Sequence, residues 1–303
     1  MSVTDDLRMQ WRMGGMTVRL ILVNVAVFVA LVLLKVVLLP IAGSGPAAEA
    51  LRDTYVVQWL RSTADPAALM TRPWTVVTYM FTHTGLGHIF WNMVLLWFGG
   101  RLFQDLLGGR RMLGYYLLSG LSGMALFLVA QWLLPSLHGA PHGLGIMGAS
   151  ASALGVFMGI AAYRPDMPVH LILIGPVKLV YVAAFFLLLD LVGIGSGDGV
   201  AHEAHIGGAL FGILASLQLK KGNDPAMGLM NALEGLGRLF RRAKGDTRLK
   251  VAKRPDTPTR AAYTGSQGTQ ARIDAILDKI SRSGYDSLTK EEKDLLFRAS
   301  GRN

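Results

Sequence analysis

The sequence predicts an all-α membrane protein with six transmembrane helices and a small helical C-terminal tail. Two observations lead to this fold class. Charged residues make up 17% of the 303-residue chain, below the roughly 25% typical of soluble domains. Apolar residues collect in long runs between residues 17 and 219, whereas residues 220–303 are polar and basic. The chain has no cysteine, which excludes disulfide bonds and thiolate metal sites.

The apolar runs divide into six candidate spans. A membrane-crossing helix needs about 20 mostly apolar residues, and Leu20–Leu39 is the first run of this length. It is longer than the apolar core of a signal peptide, so we expect it to be retained. Five further candidate spans follow at residues 85–105, 112–134, 144–163, 178–194 and 201–219.

The distribution of Lys and Arg predicts the orientation. Arginines flank the second loop and lie in the fourth, whereas the third loop, around residues 136–142, and the fifth, around 193–199, contain no Lys or Arg. Basic loops stay on the cytoplasmic side. We therefore expect a multi-pass integral membrane protein with both termini cytoplasmic; in a bacterium this membrane is the inner membrane.

Two connecting segments need a separate interpretation. Residues 40–72 include Tyr55 and Trp59, and we expect this first loop to lie partly in the membrane interface. Residues 169–175 are apolar but stop shortly before Lys178. We interpret them as a cytoplasmic stretch in the membrane plane, which keeps Lys178 at an interface where the fifth span begins.

The region after the last span is basic. Residues 220–303 contain 18 of the 30 Lys and Arg but 10 of the 20 Asp and Glu, a net charge of +8. Such a tail can bind nucleic acid, but after a membrane domain a cytoplasmic flank is the simpler interpretation. We therefore predict no nucleic-acid partner. The predicted regions are an N-terminal segment (1–16), a six-span domain (17–220) and a basic tail (221–303).

Hydrophobic spacing predicts three helices in the tail. Pro225–Arg242 has the pattern of an amphipathic helix on a membrane surface, and residues 243–270 are typical of a linker. A helix through Ile273–Ile280, a turn at Ser283–Asp286 and a last helix that begins with a Thr289–Glu292 capping box then form a terminal helical hairpin.

Polar side chains inside the predicted spans mark the candidate site, because such groups are costly in hydrocarbon and usually functional. They are His83, His88, Asn92, Ser150, Ser152, His202 and His205. His88 and Asn92 are four residues apart and therefore share one helix face. The same holds for His202 and His205, which are three residues apart.

Small residues near these groups predict close packing of the fourth and sixth spans. Gly148 and several alanines surround Ser150, and a small-xxx-small pair, Gly208 and Gly212, follows His205. Such residues let helix backbones approach. A serine on one span can then hydrogen-bond a histidine on the other.

This pairing predicts a serine nucleophile, Ser150, with His205 as its general base. The tetrahedral intermediate needs donors around its oxyanion, and His88, Asn92 and the backbone N–H of Ser150 can supply them. Neither span offers an acidic residue on the appropriate face, since Glu203 points away from it. We therefore expect a Ser–His dyad.

Three motifs in this order resemble those of the rhomboid family of intramembrane serine proteases, over roughly residues 16–220. His88-x-x-x-Asn92 is similar to the family's oxyanion motif, and Gly148-Ala149-Ser150 to the start of its GxSG motif. Ala204-His205-Ile206-Gly207-Gly208 with Gly212 is similar to its AHxxGxxxG motif, and Arg72-Pro73-Trp74 also fits.

The resemblance implies a six-transmembrane-helix rhomboid bundle. It implies a serine endopeptidase that uses no cofactor and cleaves transmembrane segments of other membrane proteins. Its partners are these substrates and the lipid bilayer, and its substrates have small residues and weak helicity near the cleaved bond. The sequence carries no signal for an oligomeric state.

The sequence departs from the family pattern at two positions. Ala151 replaces the glycine that usually follows the nucleophile, and because alanine is also small we expect activity to survive. Leu154 stands where some members have an aromatic ring stacked on the catalytic histidine, so another group must orient His205. The segment Ala271–Ser300 is similar to a tail of Bacteroidetes-type rhomboids, which implies no chemistry.

Alternative roles stay open for several residues. Ser152 is interpreted as a packing residue, and His88 and Asn92 can also act as structural hydrogen-bonding groups. For His83 and His202, a direct role in the site and a role in supporting a neighbouring residue both stay open. A metal site from His83, His88 and His202 is conceivable, but intramembrane metalloproteases need an HExxH helix, which is absent. We therefore predict no metal.

Two other functions compete with proteolysis. A catalytically inactive rhomboid-like protein that binds membrane clients would have the same fold, but known inactive relatives lack the serine or the histidine. A transporter would have internal repeats and paired broken helices, and the sequence has no such repeat.

Overall fold

The computed structural model describes residues 2–134, 145–172, 174–242 and 266–300. The chain forms two compact units, Met1–Lys244 and Gly245–Asn303. The described part is mostly helical, as the sequence predicts, with two short two-stranded sheets.

The helices of the first unit are α1 (Val3–Met13), α2 (Gly15–Ala42), α3 (Gly45–Tyr55), α4 (Pro66–Thr71), α5 (Thr75–Thr78), α6 (Leu86–Leu107), α7 (Gly109–Leu133), α8 (Ser150–Tyr163), α9 (Leu179–Gly193), α10 (His202–Lys220) and α11 (Pro225–Arg242). Its strands are β1 (Ser62–Thr63), β2 (Gly145–Ile146), β3 (Pro168–Leu171) and β4 (Gly175–Lys178). The second unit contains α12 (Ser266–Ser283) and α13 (Lys290–Ser300).

Six of these helices coincide with the six predicted spans. α2 follows the first apolar run, and α6 to α10 follow the other five. Among the described residues, α2 and α7 are long and apolar enough to cross a membrane, and α8 and α9 are shorter apolar helices. Helix length and composition by themselves therefore support two crossings.

The fourth predicted span begins later than expected. Residue 144 lies outside the described residues, and the next two form β2, which pairs antiparallel with β1 in the register Ser62↔Ile146. The chain then turns at Gly148, whose φ of 121° favours glycine. As a result, Ser150 is the first residue of α8 and lies at the N-terminal end of the helix.

The segment predicted as an in-plane stretch is a β-hairpin. β3 and β4 pair antiparallel from Pro168↔Lys178 to Leu171↔Gly175. At its tip, the side chains of Ile172 and Ile174 are exposed. Lys178 lies directly before α9, as expected, and its ammonium group contacts Asp166 at 2.7 Å. This ion pair holds the pKa of the Asp166 carboxyl below its usual value.

α8 forms the centre of the first unit. Every residue from Ala151 to Ala161 is buried, and the helix packs most extensively against α10. The contact relies on the predicted glycines. A methyl group on Gly208 would overlap the carbonyl oxygen of Ala151, and one on Gly212 would overlap that of Gly155. The two backbones are therefore in direct contact, as the small-residue pattern predicts.

The amphipathic helix predicted at Pro225–Arg242 is present as α11. Its first turn packs on α7, where a methyl group on Gly114 would meet Ala226. Arg111 on α7 contacts Asp224 at 2.7 Å, just before α11 begins. Leu233 and Leu236 stay exposed, so the placement of this helix on a membrane surface stays a prediction.

The second unit contains the predicted helical pair. Residues 243–265 of the predicted linker lie outside the described residues, whereas 266–270 are helical rather than linker. The capping box is confirmed, because Glu292 N–H donates to Thr289 Oγ1 at 3.3 Å and Thr289 N–H donates to Glu292 Oε2 at 2.8 Å. Lys279 of α12 also contacts Glu292 at 2.8 Å, which links the two helices.

Candidate active site

The side chains of Ser150 and His205 are in hydrogen-bond contact. Ser150 Oγ lies 2.7 Å from His205 Nε2. The contact forms because α8 and α10 cross at small residues, which brings the first turns of both helices together. The contact predicted from the sequence is therefore confirmed.

The backbone around Ser150 leaves N–H groups available at the start of α8. Ala149 is the N-cap residue, and no side chain caps the helix there. The first N–H groups of a helix have no partner within it, and the helix dipole places partial positive charge at this end. Ser150 thus lies where an oxyanion can be stabilised by backbone donors.

His83 supports this turn directly. Its side chain is fully buried, and its Nε2 accepts a hydrogen bond from the N–H of Ala149 at 3.2 Å. It lies in the connection before α6 rather than in the helix. The supporting role suggested by the sequence therefore has a specific atomic contact.

His88 lies beside the same turn. Its ring packs edge-on against His83, with 5.0 Å between ring centroids. A Cβ atom added to Gly148 would lie 2.6 Å from His88 Nε2, so only glycine fits here. The His88 ring is therefore adjacent to the residues that precede Ser150.

Asn92 is buried one turn further along α6. Its Nδ2 donates to the carbonyl oxygen of His88 at 2.8 Å. An amide nitrogen has two N–H bonds, so one is used within the helix and one is left for a ligand. The structural and oxyanion roles of Asn92 are thus compatible.

An acidic residue that the sequence argument missed completes the cluster. Asp190 Oδ1 lies 2.7 Å from His205 Nδ1 and 2.8 Å from His202 Nδ1. On the other side of its ring, His202 Nε2 lies 3.1 Å from Asp198 Oδ2. The expected two-residue arrangement is therefore wrong as a description of the geometry, which is a chain Ser150–His205–Asp190.

Asp190 was not predicted because it lies on α9, the fifth span, whereas the serine and the histidine lie on the fourth and the sixth. It is the one charged residue in the run LVYVAAFFLLLDLVG. An acidic residue inside such an apolar run is itself a functional signal, and that signal was available in the sequence.

Asp198 lies outside the helices, in the connection between α9 and α10. The N–H of Val200 donates to its Oδ1 at 2.8 Å. This bond and the contact with His202 hold the pKa of the Asp198 carboxyl below its usual value. Asp198 is therefore an ionised acceptor for His202 near neutral pH.

The two departures from the family pattern have structural explanations. Ala151 is buried, and a Cβ atom added to Gly123 of α7 would lie 2.8 Å from the Cβ atom of Ala151, so a small side chain fits at this position. Leu154 is also buried. The acidic group that contacts the far side of the His205 ring is Asp190, which lies 2.7 Å from Nδ1.

Ser152, the second serine, is also buried. Its Oγ faces α7, where a Cβ atom on Gly120 would lie 2.6 Å away. This position is that of a packing residue, as the sequence analysis interpreted it.

The described residues contain one His/Asp group with metal-ligand spacing. The ligand atoms of Asp190, His202 and His205 lie within 4.8 Å of one another. Both imidazole Nδ1 atoms lie at hydrogen-bond distance from the same carboxylate oxygen, which accounts for the cluster without an ion. The conceivable site from His83, His88 and His202 does not form, because His202 pairs with the two aspartates instead.

The helical fold and the Ser–His contact define a protein with a rhomboid-type site, and comparison with protein families agrees. A family model described as the Rhomboid domain matches residues 70–221, half of the chain. The chain therefore belongs to the rhomboid family. A second model, a family of unknown function (DUF6576), matches residues 267–302, within the second unit.

Curated relatives carry the same family name. RHOMBOID-like protein 12, mitochondrial, of Arabidopsis thaliana is 26% identical over 159 residues, which cover 49% of this chain and 47% of the relative. Presenilin-associated rhomboid-like protein A, mitochondrial, of Danio rerio is 30% identical over 155 residues, 50% of this chain and 38% of the relative. Inactive RHOMBOID-like protein 8 of Arabidopsis thaliana is 29% identical over 110 residues, which cover 36% of this chain and 30% of the relative. The chain thus spans about a third to a half of the length of these relatives.

Proposed function

We propose that this protein is an intramembrane serine endopeptidase with Ser150 as nucleophile and His205 as general base. The observation that carries the proposal is the 2.7 Å contact between Ser150 Oγ and His205 Nε2. Membership of the rhomboid family supports it.

The surface of the first unit supports a membrane location. On α9, the side chains of Phe185, Leu188 and Val192 are exposed, whereas Asp190 is buried. Exposed apolar side chains over a polar interior are typical of helices in lipid. We therefore propose that α2 and α6 to α10 are six spans, with the shorter helices immersed together with the longer ones.

The reaction follows from the positions of the groups. Ser150 Oγ attacks the carbonyl carbon of the substrate peptide bond, and its proton passes to His205 Nε2. The tetrahedral intermediate then collapses, the C–N bond breaks, and the same proton passes to the leaving amine. His205 next removes a proton from a water molecule, whose oxygen attacks the carbonyl carbon of the acyl-enzyme ester. The bond from this carbon to Ser150 Oγ then breaks, the proton on His205 passes to Oγ, and the carboxylic acid leaves.

The oxyanion requires donors that are already in place. The Ser150 backbone N–H lies at the N-terminal end of α8. The His88 ring lies beside Gly148, and Asn92 retains one amide N–H. We assign these three groups to the oxyanion site.

The proposed substrate class rests on how a peptide bond within a helix can reach Ser150. A peptide bond inside a helix is covered by its own hydrogen-bonded turns and must be unwound before Ser150 reaches it. Transmembrane segments with small residues and weak helicity near the cleaved bond meet this requirement at the lowest cost. We therefore propose transmembrane segments of membrane proteins as substrates.

An inactive rhomboid-like role is the second candidate, because one relative is named an inactive protein. Against it, the serine and the histidine are both present and in contact. The two candidates are separated by incubating the purified protein in detergent with a transmembrane substrate. Proteolysis requires cleavage by the wild type and none by Ser150→Ala, whereas no cleavage by either protein favours the inactive role.

We propose a bacterial inner membrane because the tail resembles that of Bacteroidetes-type rhomboids. The basic second and fourth loops and the basic tail favour an orientation with both termini cytoplasmic. Two of the relatives have "mitochondrial" in their names, which describes those proteins. Reporter fusions after residue 108 and after residue 197 test the orientation, because only the first should report a cytoplasmic position.

A further inference from the structure

We infer that Asp190 is a positioning residue for the reaction, which holds the His205 ring through Nδ1 so that Nε2 faces Ser150. The inference rests on the proposed function. It assigns a role to an acidic side chain on a third helix, α9, that the two-residue mechanism does not use.

The first support is the geometry of the His205 ring. Its Nε2 lies 2.7 Å from Ser150 Oγ and its Nδ1 lies 2.7 Å from Asp190 Oδ1. A carboxylate accepts hydrogen bonds only, so Nδ1 carries the hydrogen and Nε2 keeps a lone pair. This is the tautomer that can accept the serine proton.

The second support is that Asp190 is itself held in place. Its side chain is 11% exposed, and a carboxylate this buried needs strong donors to stay ionised. It has two, because its Oδ1 faces Nδ1 of both His205 and His202. Two imidazole nitrogens therefore converge on one oxygen of this carboxylate and hold it against the His205 ring.

The third support is that the series of side-chain contacts continues from Asp190 through His202 to the loop before α10. Both nitrogens of the His202 ring face carboxylate oxygens, those of Asp190 and Asp198. An imidazole donates from both nitrogens only when it is protonated. A cationic His202 between two carboxylates balances the charge of Asp190 before His205 gains a proton. These contacts therefore connect Ser150 on α8 to Asp198 in the loop, and they run through the side chains of His205, Asp190 and His202.

The charged and titratable groups that face His205 come from three elements. Asp190 lies on α9, His202 on the same helix as His205, and His88 on α6 is close enough for an electrostatic interaction with His205. Of these three, the Asp190 carboxylate stabilises the protonated His205 ring and lies on the side opposite Ser150.

The direct test compares Asp190→Asn, Asp190→Ala and Asp190→Glu in the full-length protein in detergent. The matched control is Asp166→Asn, the same change at an exposed residue. The measurements are kcat and KM on a transmembrane substrate, the melting temperature, and the pH–rate profile. Loss of a carboxylate in this position of a Ser–His–Asp arrangement typically lowers kcat by about 10⁴-fold.

We expect Asp190→Asn and Asp190→Ala to lose kcat by about this factor, with little change in KM, and Asp166→Asn to match the wild type. Removing the negative charge makes protonation of His205 less favourable, so the acid limb of the residual activity should move to lower pH. Asp190→Glu, which keeps the charge, should recover more kcat than Asp190→Ala. A variant at Asp190 with wild-type kcat and an unshifted acid limb overturns the inference, as does Asp190→Glu no better than Asp190→Ala.

A spectroscopic measurement separates this inference from the proposed function. In protein labelled with ¹⁵N-histidine, His205 should give the signals of a ring protonated at Nδ1 only, identified by their loss in His205→Ala. These signals should change in Asp190→Asn but not in Asp166→Asn. If the wild type cleaves nothing yet shows this pattern, only the proposed function fails. If His205 is protonated at Nε2 only, or if its signals are the same in Asp190→Asn as in the wild type, the positioning role fails.

Discussion

His205 Nε2 lies 2.7 Å from Ser150 Oγ, although 55 positions separate the two residues in the chain. The contact depends on α8 and α10, whose backbones touch where Gly208 faces Ala151. Helix association in lipid relies on close packing rather than on apolar burial. The glycines after His205 therefore determine whether the nucleophile and its base can meet.

Gly208→Ala should lower both stability and activity. The new methyl group overlaps the carbonyl oxygen of Ala151, and such overpacking costs about 1–3 kcal/mol. Thermal unfolding and cleavage rate measured on one preparation check this.

The matched control is Gly228→Ala on α11, where an added methyl group meets no atom within 4 Å. This change should leave cleavage intact and raise stability slightly, because alanine favours a helix over glycine by about 1 kcal/mol. Equal melting temperatures for Gly208→Ala and the wild type would contradict the direct backbone contact.

His83→Phe should destabilise the turn before Ser150. An aromatic ring is kept, but the Ala149 N–H loses its acceptor, and an unpaired buried donor costs about 1–3 kcal/mol. We expect a lower melting temperature and slower labelling of Ser150 by a fluorophosphonate. His170→Phe, at an exposed position on β3, is the control and should behave as the wild type. Unchanged labelling in His83→Phe would assign His83 to the protein fold alone.

Asn92→Ala should slow turnover without abolishing it. Removing one oxyanion donor typically lowers kcat by about 10²–10³-fold, and the His88 ring and the Ser150 N–H remain. Because Asn92 also donates to the His88 carbonyl oxygen, thermal stability must be measured on the same sample. A normal kcat with a lowered melting temperature would restrict Asn92 to packing.

A chain that ends at Lys244 should keep its cleavage activity. Every candidate site residue lies in the first unit, and the rhomboid match ends at residue 221. The comparison is between the truncated and full-length proteins, assayed with the same transmembrane substrate. A large loss of kcat after truncation would assign the second unit a part in catalysis.

The sequence predicted those parts of the site that depend on local spacing and small residues. Ser150, His205 and the glycines that bring them together could be recognised because each lies in a short motif within an apolar run. A lone acidic residue in the apolar run of α9 marks Asp190 as unusual, but its contact with His205 depends on how α9 packs beside α10, which no local pattern encodes. The start of α8 was predicted too early, since pairing of β2 with β1 joins segments more than 80 residues apart.

The β3–β4 hairpin illustrates the same limit. Residues 169–175 are apolar, and composition alone does not distinguish an in-plane stretch from two paired strands. The two strands pair through their backbones, in a register from Pro168↔Lys178 to Leu171↔Gly175, and the apolar side chains do not encode this pairing.

The central claim is that Ser150 is the nucleophile, and covalent labelling combined with cleavage tests it most directly. The wild type, Ser150→Ala and Ser152→Ala are each treated with a fluorophosphonate probe, mapped by mass spectrometry, and assayed with a transmembrane substrate. We expect the wild type and Ser152→Ala to be labelled at Ser150 and to cleave, and Ser150→Ala to do neither while it keeps its melting temperature. Cleavage by Ser150→Ala would contradict the account, as would a wild type that the probe labels at Ser152 instead of Ser150.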